Sequence, residues 1–314
     1  MSRDIEIKEL NVSFMNYGRE TGVVTDVNAR FPEGSITGLI GESGSGKSVL
    51  GMSIPRLLPA SAKIRGSCLY DGRDLLTLSE KEMKEVRGKE IALIPQNPTE
   101  SLNPIRVVGR QLVECVTAHE KKGKKEARER RDLLLRRFGF EDPKRINGSY
   151  SFEMSGGMNQ RVVSALGLMN RPKWVIADEP TKGLDAILRH QVYEVLKDIG
   201  KSEVKGMLVI THDIILARAL CHRLMVLYKG CVMEQGETKA VLETPMHPYT
   251  RGLIGSLPEK GMHPIGRADR EKVGCLSGCR FYPRCPWGQE RCGKEMPPEA
   301  RLLDGRTVRC FQYA

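Results

Sequence analysis

An α/β fold organised around a buried parallel sheet is what this sequence predicts, and three stretches carry the prediction. "SITGLIGESGSGKSVLGMSI" at 35–54 reads as an apolar strand, a glycine-rich turn and the start of a helix. "KWVIADEPTKGLD" at 173–185 is a second apolar run, ended by two adjacent acids; a short run without alternation marks a strand covered on both faces. "VITHD" at 209–213 closes a third. The 314 residues suffice for one large or two modest domains, and two lobes plus a tail are expected.

Composition narrows the classes. A chain with 40% hydrophobic and 28% charged residues is ordinary for a folded, water-soluble protein, and aromatics are few at 5%. Apolar runs such as "WVIA" at 174–177 fall far short of the ~20 residues of a membrane span. "MSRDIEIKEL" lacks the basic and apolar segments of a secretory signal, so a cytosolic chain is expected. The net charge of +11 admits nucleic acid, an anionic membrane or an anionic ligand as partner. Much of it is local. "EKKGKKEARERRDLLLRRFGF" at 120–140 reads as a helix with one solvated face and one buried face drawn from Leu133, Leu134, Leu135 and Phe138. No aromatics are interleaved among its bases to stack on nucleotides, so nucleic acid is not an expected partner.

The first stretch carries the sharpest chemistry. Gly41, four residues, then Gly46, Lys47 and Ser48 match the Walker A spacing. In such a loop Gly41, Ser43, Gly44 and Gly46 turn backbone N–H groups around the β- and γ-phosphates, and the following helix adds its positive end. Lys47 supplies compensating charge and Ser48 a hydroxyl for Mg²⁺. Pro55, two turns into the helix, is expected to kink or end it. In the second stretch the strand delivers Asp178 and Glu179 to its C-terminal edge, where open α/β sheets keep ligands. Asp178 then holds Mg²⁺ and Glu179 polarises the attacking water. The plainer readings are a glycine-rich connection without ligand and two acids that cap a helix.

"MSGGMNQRVVSAL" at 154–166 is by itself a helix start with Ser155 as N-cap. Walker A, then Ser-Gly-Gly, then the acidic strand end, then "THD" at 211–213 resembles the ATP-binding subunit of ABC transporters in order and spacing. The resemblance implies a nucleotide-binding domain over 1–234. Its parts are a RecA-like core, an antiparallel β subdomain from 1 to about 75, and a helical subdomain over about 97–170. It further implies ATP hydrolysis between two subunits, with Ser155 and Gly157 of one capping the γ-phosphate held by the other. Gln96 in "LIPQNPTESLNP" matches the glutamine that touches Mg²⁺ and the attacking water, although the stretch also reads as a polar turn. His212 matches the residue that contacts the γ-phosphate, and Asp185 the aspartate that crosses the dimer interface. An aromatic upstream of Walker A stacks on adenine in the family; Phe14 and Tyr17 are candidates, Tyr17 preferred. Met154, Asn159 and "TKGLD" at 181–185 depart from the common pattern without removing a catalytic group.

"HPYT" at 247–250 and "SLNP" at 101–104 resemble one branch of that family, the ATP-binding subunits of oligopeptide, dipeptide and nickel importers. The branch implies two membrane permease subunits, a second homologous ATP-binding subunit in a heterodimer, an extracytoplasmic solute-binding protein acting indirectly, and a place on the cytoplasmic face of the membrane. It also implies an extension over 235–314. Five of the nine cysteines crowd into the last forty residues, and nine is an odd total for a disulfide framework. Cys279, Cys285, Cys292 and Cys310, with five, six and seventeen residues between them, match the thiolates that hold a [4Fe–4S] cluster in relatives. Spacing alone leaves Zn²⁺ and unligated thiols open. Cys275 is a spare. The proline-rich tail has little material for a core, so a metal is expected to supply much of its folding free energy.

Overall fold

The computed structural model describes residues 3–118, 123–263, 265–266 and 277–314, which leaves Cys275 outside the described residues. The chain opens with the hairpin β1 (Ile5–Asn16) and β2 (Arg19–Phe31), then β3 (Ile36–Ile40) and α1 (Lys47–Ser53). β4 (Ala62–Tyr70), β5 (Arg73–Asp74), α2 (Glu80–Val86) and β6 (Ile91–Ile94) follow. A helical stretch comes next: α3 (Pro98–Ser101), α4 (Val108–Thr117), α5 (Lys124–Arg137), α6 (Pro143–Gly148) and α7 (Gly156–Gly167). Then β7 (Trp174–Asp178), α8 (Ala186–Ser202), β8 (Gly206–Ile210), α9 (Ile214–Leu220), β9 (Arg223–Tyr228) and β10 (Cys231–Glu237) return to the sheet. The tail adds α10 (Thr238–Glu243), α11 (Pro248–Gly255), α12 (Glu290–Lys294), β11 (Ala300–Arg301) and β12 (Thr307–Val308).

Among the described residues the strands form two sheets. One is antiparallel in the order β2-β1-β4-β5; the other runs β11-β12-β10-β9-β3-β8-β7-β6, with β9 to β6 parallel. The antiparallel sheet draws on residues 5–74 as expected, except that β3, inside that span, belongs to the parallel sheet. All residues of β3, β7 and β8 are buried, as a strand covered on both faces requires. Their side chains alternate between two cores. Leu39, Trp174, Ile176, Leu208 and Ile210 face the antiparallel sheet, where Phe31 and Tyr70 pack, whereas Ile40, Val175, Ala177 and Val209 face the helices. α1 ends at Ser53, just before Pro55, which lacks the N–H a longer helix needs. α5 buries Leu134 and Leu135 as its pattern predicts, with Phe138 buried just past its end, but Leu133 points to solvent. No helix among the described residues is long and apolar enough to cross a membrane.

The end of the tail, residues 277–314, is rich in loops and turns as expected, but it is joined to the main sheet. β12 pairs antiparallel with β10, Glu234 opposite Val308, and extends the main sheet, so the expected border at 234/235 falls inside β10. Short strands of two residues carry no periodicity from which to read them. Beside this junction Glu234 is fully buried and accepts the N–H groups of Met246 and His247 at 3.0 and 2.9 Å. Arg306, also buried, lies 3.5 Å from that carboxylate and donates to the carbonyls of Ala240 and Thr244 at 2.9 and 2.7 Å. His247 caps α11, its Nδ1 accepting the Tyr249 N–H at 3.0 Å, and burial holds its ring neutral with a pKa pushed down to about 3.

Two outcomes follow from this junction. Glu234→Ala strands a buried guanidinium and two N–H groups and lowers the unfolding free energy by about 3–5 kcal/mol, while Glu290→Ala, in an exposed pair with Lys294, leaves the denaturation midpoint where it was. His247 binds no proton in the native state until the pH nears 3 but binds one near 6.5 when unfolded, so stability is lost on acidification between those values. Denaturant titrations are expected to show wild type losing up to about 1.4 kcal/mol per pH unit more than His247→Asn within that window.

Candidate active site

The phosphate loop spans residues 41–48 between β3 and α1. Gly41 has φ +153°, and a Cβ there would lie 2.1 Å from the Leu227 carbonyl, so glycine alone fits. Ser43 and Gly44 form the exposed tip, and Gly46 closes the turn onto α1. The turn after β9 braces it, the Gly230 N–H donating to the Ser45 carbonyl at 2.8 Å. Lys47 is buried, its Nζ donating to the carbonyls of Gly41 and Glu42 at 2.8 and 2.9 Å. Burial lowers the pKa of its ammonium, an effect countered by the charges of Glu179, Asp178 and Glu42.

The parallel register carries the acids to the same place. Asp178 at the end of β7 lies opposite Ile210 of β8, and the Glu179 N–H donates to the Ile210 carbonyl at 2.9 Å. Burial raises the pKa of Asp178, with a hydrogen bond from Ser48 acting the other way. Its Oδ1 is buried without a hydrogen-bond partner. A bonded hydroxyl and a spare carboxylate oxygen form the hard oxygen set that Mg²⁺ takes. Glu179 is buried and has φ +50°, a left-handed conformation that costs a non-glycine residue of order 1 kcal/mol. Its Oε1 lies 2.8 Å from Nδ1 of the largely exposed His212. Lys47, Ser48, Asp178, Glu179 and His212 thus converge on one edge. Gln96, two residues past β6, comes to the same edge because Ile94 pairs with Ala177.

Other predicted residues lie apart from this convergence. Ser155 caps α7, accepting the Met158 N–H at 3.2 Å, and Asp185 caps α8, accepting from Leu188 at 2.9 Å. The two caps sit together: a Cβ on Gly157 would come within 3.1 Å of Leu184. No hydrogen bond among the described residues joins them to the phosphate loop. Tyr17 stands fully exposed in the β1–β2 turn, whereas Phe14 is half-buried against the antiparallel sheet's core.

The four tail cysteines line one small cavity with Phe281 and Phe311. The Cys279 N–H donates to the Cys292 carbonyl at 2.7 Å. The Cys279 thiol is pushed up to about 12, chiefly by burial and further by the other three sulfurs. All four are free thiols. No group of three or more His, Cys, Asp or Glu among the described residues is arranged to hold a metal ion, so this geometry does not support the expected [4Fe–4S] cluster.

Two contacts to the loop were not read from the sequence. The Glu42 N–H donates to Tyr249 Oη at 2.9 Å, and the Glu42 carboxylate pairs with Arg284 at 2.9 Å. Tyr249 lies within the quoted "HPYT", but Arg284 carried no signal.

Comparison with known proteins accords with this geometry. The ABC transporter family matches residues 24–182, and the C-terminal region of oligopeptide/dipeptide transporters matches 233–292. The chain is 42% identical to the oligopeptide transport ATP-binding protein OppD of Bacillus subtilis, covering 99% of this chain and 89% of that protein. It is 35% identical to the dipeptide transport ATP-binding protein DppD of Escherichia coli K12, covering 98% and 95%. Its fold is similar to that of the ATP-binding cassette MJ0796, solved as a post-hydrolysis dimer bound to ADP and Pi (TM-score 0.69, 25% identity, 74% of this chain and 98% of that one). A phosphate loop, an acidic strand end with its histidine, and matched relatives along nearly its whole length together place the chain among the ATP-hydrolysing subunits of the ABC transporter family.

Proposed function

We propose that this chain powers peptide import, closing with a second ATP-binding subunit around ATP on the cytoplasmic face of a membrane and driving two permease subunits. The observation that carries the reading is the tail. It has the sequence character of the oligopeptide/dipeptide transporter C-terminal region and is built into the main sheet through β12. Among the described residues Ser155, Gly157 and Asp185 make no hydrogen bond to their own phosphate loop, which suits groups that act across a dimer; a homologous partner in a heterodimer is the form proposed. An extracytoplasmic binding protein would deliver the peptide.

In the roles proposed, Gly41, Ser43, Gly44 and Gly46 cradle the phosphates, Lys47 balances their charge, and Ser48, Gln96 and Asp178 hold Mg²⁺. Bound Mg²⁺ would supply neutralisation of charge on the leaving phosphate oxygens. Glu179 takes the proton of the attacking water, and His212 holds that carboxylate in place at 2.8 Å. Tyr17 would stack on adenine. The thiols of Cys279, Cys285, Cys292 and Cys310 suit a soft metal centre, a [4Fe–4S] cluster by preference and Zn²⁺ otherwise. Such a centre would hold these sulfurs as thiolates, including that of Cys279, which burial, and after it the crowding of sulfurs, keeps protonated.

Three measurements bear on these assignments. Glu179→Gln is expected to bind nucleotide normally while turnover falls about 10²–10³-fold; wild-type hydrolysis rates would sink the assignment of the base. With the permease subunits and binding protein in liposomes, the wild type is expected to drive ATP-dependent uptake of a labelled di- or oligopeptide, and uptake of none would reject peptides as cargo. Purified without oxygen, the chain is expected to carry iron and acid-labile sulfide that are lost in Cys279→Ser. Zinc without sulfide would make the tail a zinc module instead.

A further inference from the structure

We propose that the C-terminal tail sets the electrostatics of the phosphate loop: Arg284 is a positioning residue for nucleotide binding, because it neutralises the Glu42 carboxylate that the loop carries beside its own lysine. The proposal rests on the reading of residues 41–48 as the nucleotide site.

A carboxylate at the second position of a phosphate loop is electrostatically awkward. Glu42 stands between Gly41 and Ser43, and its charge is among those felt by the Lys47 ammonium. Left alone it would repel an incoming polyphosphate and hold Lys47 back from it. Arg284 answers that charge. Its Nη1 reaches Oε1 and Oε2 of Glu42 at 3.0 and 2.9 Å, and its Nε donates to the Gly266 carbonyl at 3.0 Å. The guanidinium is mostly buried and seated against the rings of Tyr228 and Phe281, 5.8 and 5.9 Å from their centroids. The same aromatic group fixes the backbone of residue 42. Tyr249, whose ring centroid lies 4.5 Å from that of Tyr228 and 5.4 Å from that of Phe281, accepts the Glu42 N–H. Glu42 is therefore held at both its carboxylate and its N–H by residues that follow the parallel strands. The pair spans 242 positions, and Arg284 immediately precedes Cys285. Phe281, which lines the thiol cavity, is one of the rings against which the Arg284 guanidinium is seated.

A mechanical tie and an electrostatic one predict different double variants, which gives the test. Affinity of the full-length chain for N-methylanthraniloyl-ADP with Mg²⁺ is measured by fluorescence titration for wild type, Arg284→Gln, Glu42→Gln and the double variant. Thermal melting checks that each is folded. Arg284→Gln is expected to weaken binding about tenfold. Glu42→Gln, which leaves the tail's packing intact, is expected to bind at least as tightly as wild type. The double variant should return to within about twofold of Glu42→Gln, the signature of a neutralised charge. Wild-type affinity in Arg284→Gln overturns the proposal. So does a loss in Arg284→Gln that Glu42→Gln fails to restore, since that pattern belongs to a tail that merely props the loop. Absence of binding by the wild type overturns the nucleotide-site reading itself and the proposal with it.

Discussion

A buried ammonium group governs this molecule. Lys47 sits below the surface at the start of α1, and a cation taken from water must be answered by charge and by hydrogen-bond acceptors. Two backbone carbonyls, those of Gly41 and Glu42, supply acceptors, which forces the loop to fold back over its own helix. Asp178 and Glu179 supply charge, which forces β7 to end level with that loop. The parallel pairing of β7 with β8, and of β8 with β3, sets that level. The register of the central sheet and the conformation of the loop are thus two sides of one electrostatic requirement.

The tail is fastened to the rest by arginines that neighbour its cysteines in sequence. Arg284, before Cys285, reaches the phosphate loop; Arg309, before Cys310, pairs with Asp26 of β2 at 2.8 Å. Arg306 enters the buried junction with Glu234. All three guanidinium groups are largely shielded from water, but Glu42 and Asp26 are partly exposed, and only Arg306 with Glu234 is a pair buried on both sides.

Much of the site was legible because its chemistry depends on residue type at fixed spacing. Gly41, Lys47 and Ser48 are neighbours in sequence and remain neighbours in space, and the acids of β7 follow directly from an apolar run. The halt of α1 before Pro55 is a local steric fact and was readable as such. The pairing of Glu179 with His212 was not, although both residues were singled out, because it arises only where two strands end side by side. Glu42 was passed over as one variable position of a motif. Its partner ends a three-residue 3₁₀ turn too short to show periodicity, and no local pattern reports a contact across 242 positions. The strands β11 and β12 escaped for a related reason: two residues are too few to alternate, and only the pairing of β12 with β10 and of β11 with β12 makes them strands.

The contacts around Arg309 also bear on solubility. β2 is a thirteen-residue strand at the border of the antiparallel sheet, the kind of open edge onto which another chain can add a strand. Three of its outward backbone groups are already occupied: the Thr25 N–H by the Gly230 carbonyl, the Asp26 carbonyl by Arg309, and the Asn28 carbonyl by Gln235. Side chains and a turn do here what a further strand would do elsewhere. At the opposite borders the sheets taper to β5 and β11, two residues each and carrying Arg73, Asp74 and Arg301. By filling or shortening these borders the protein withholds the template for edge-to-edge aggregation.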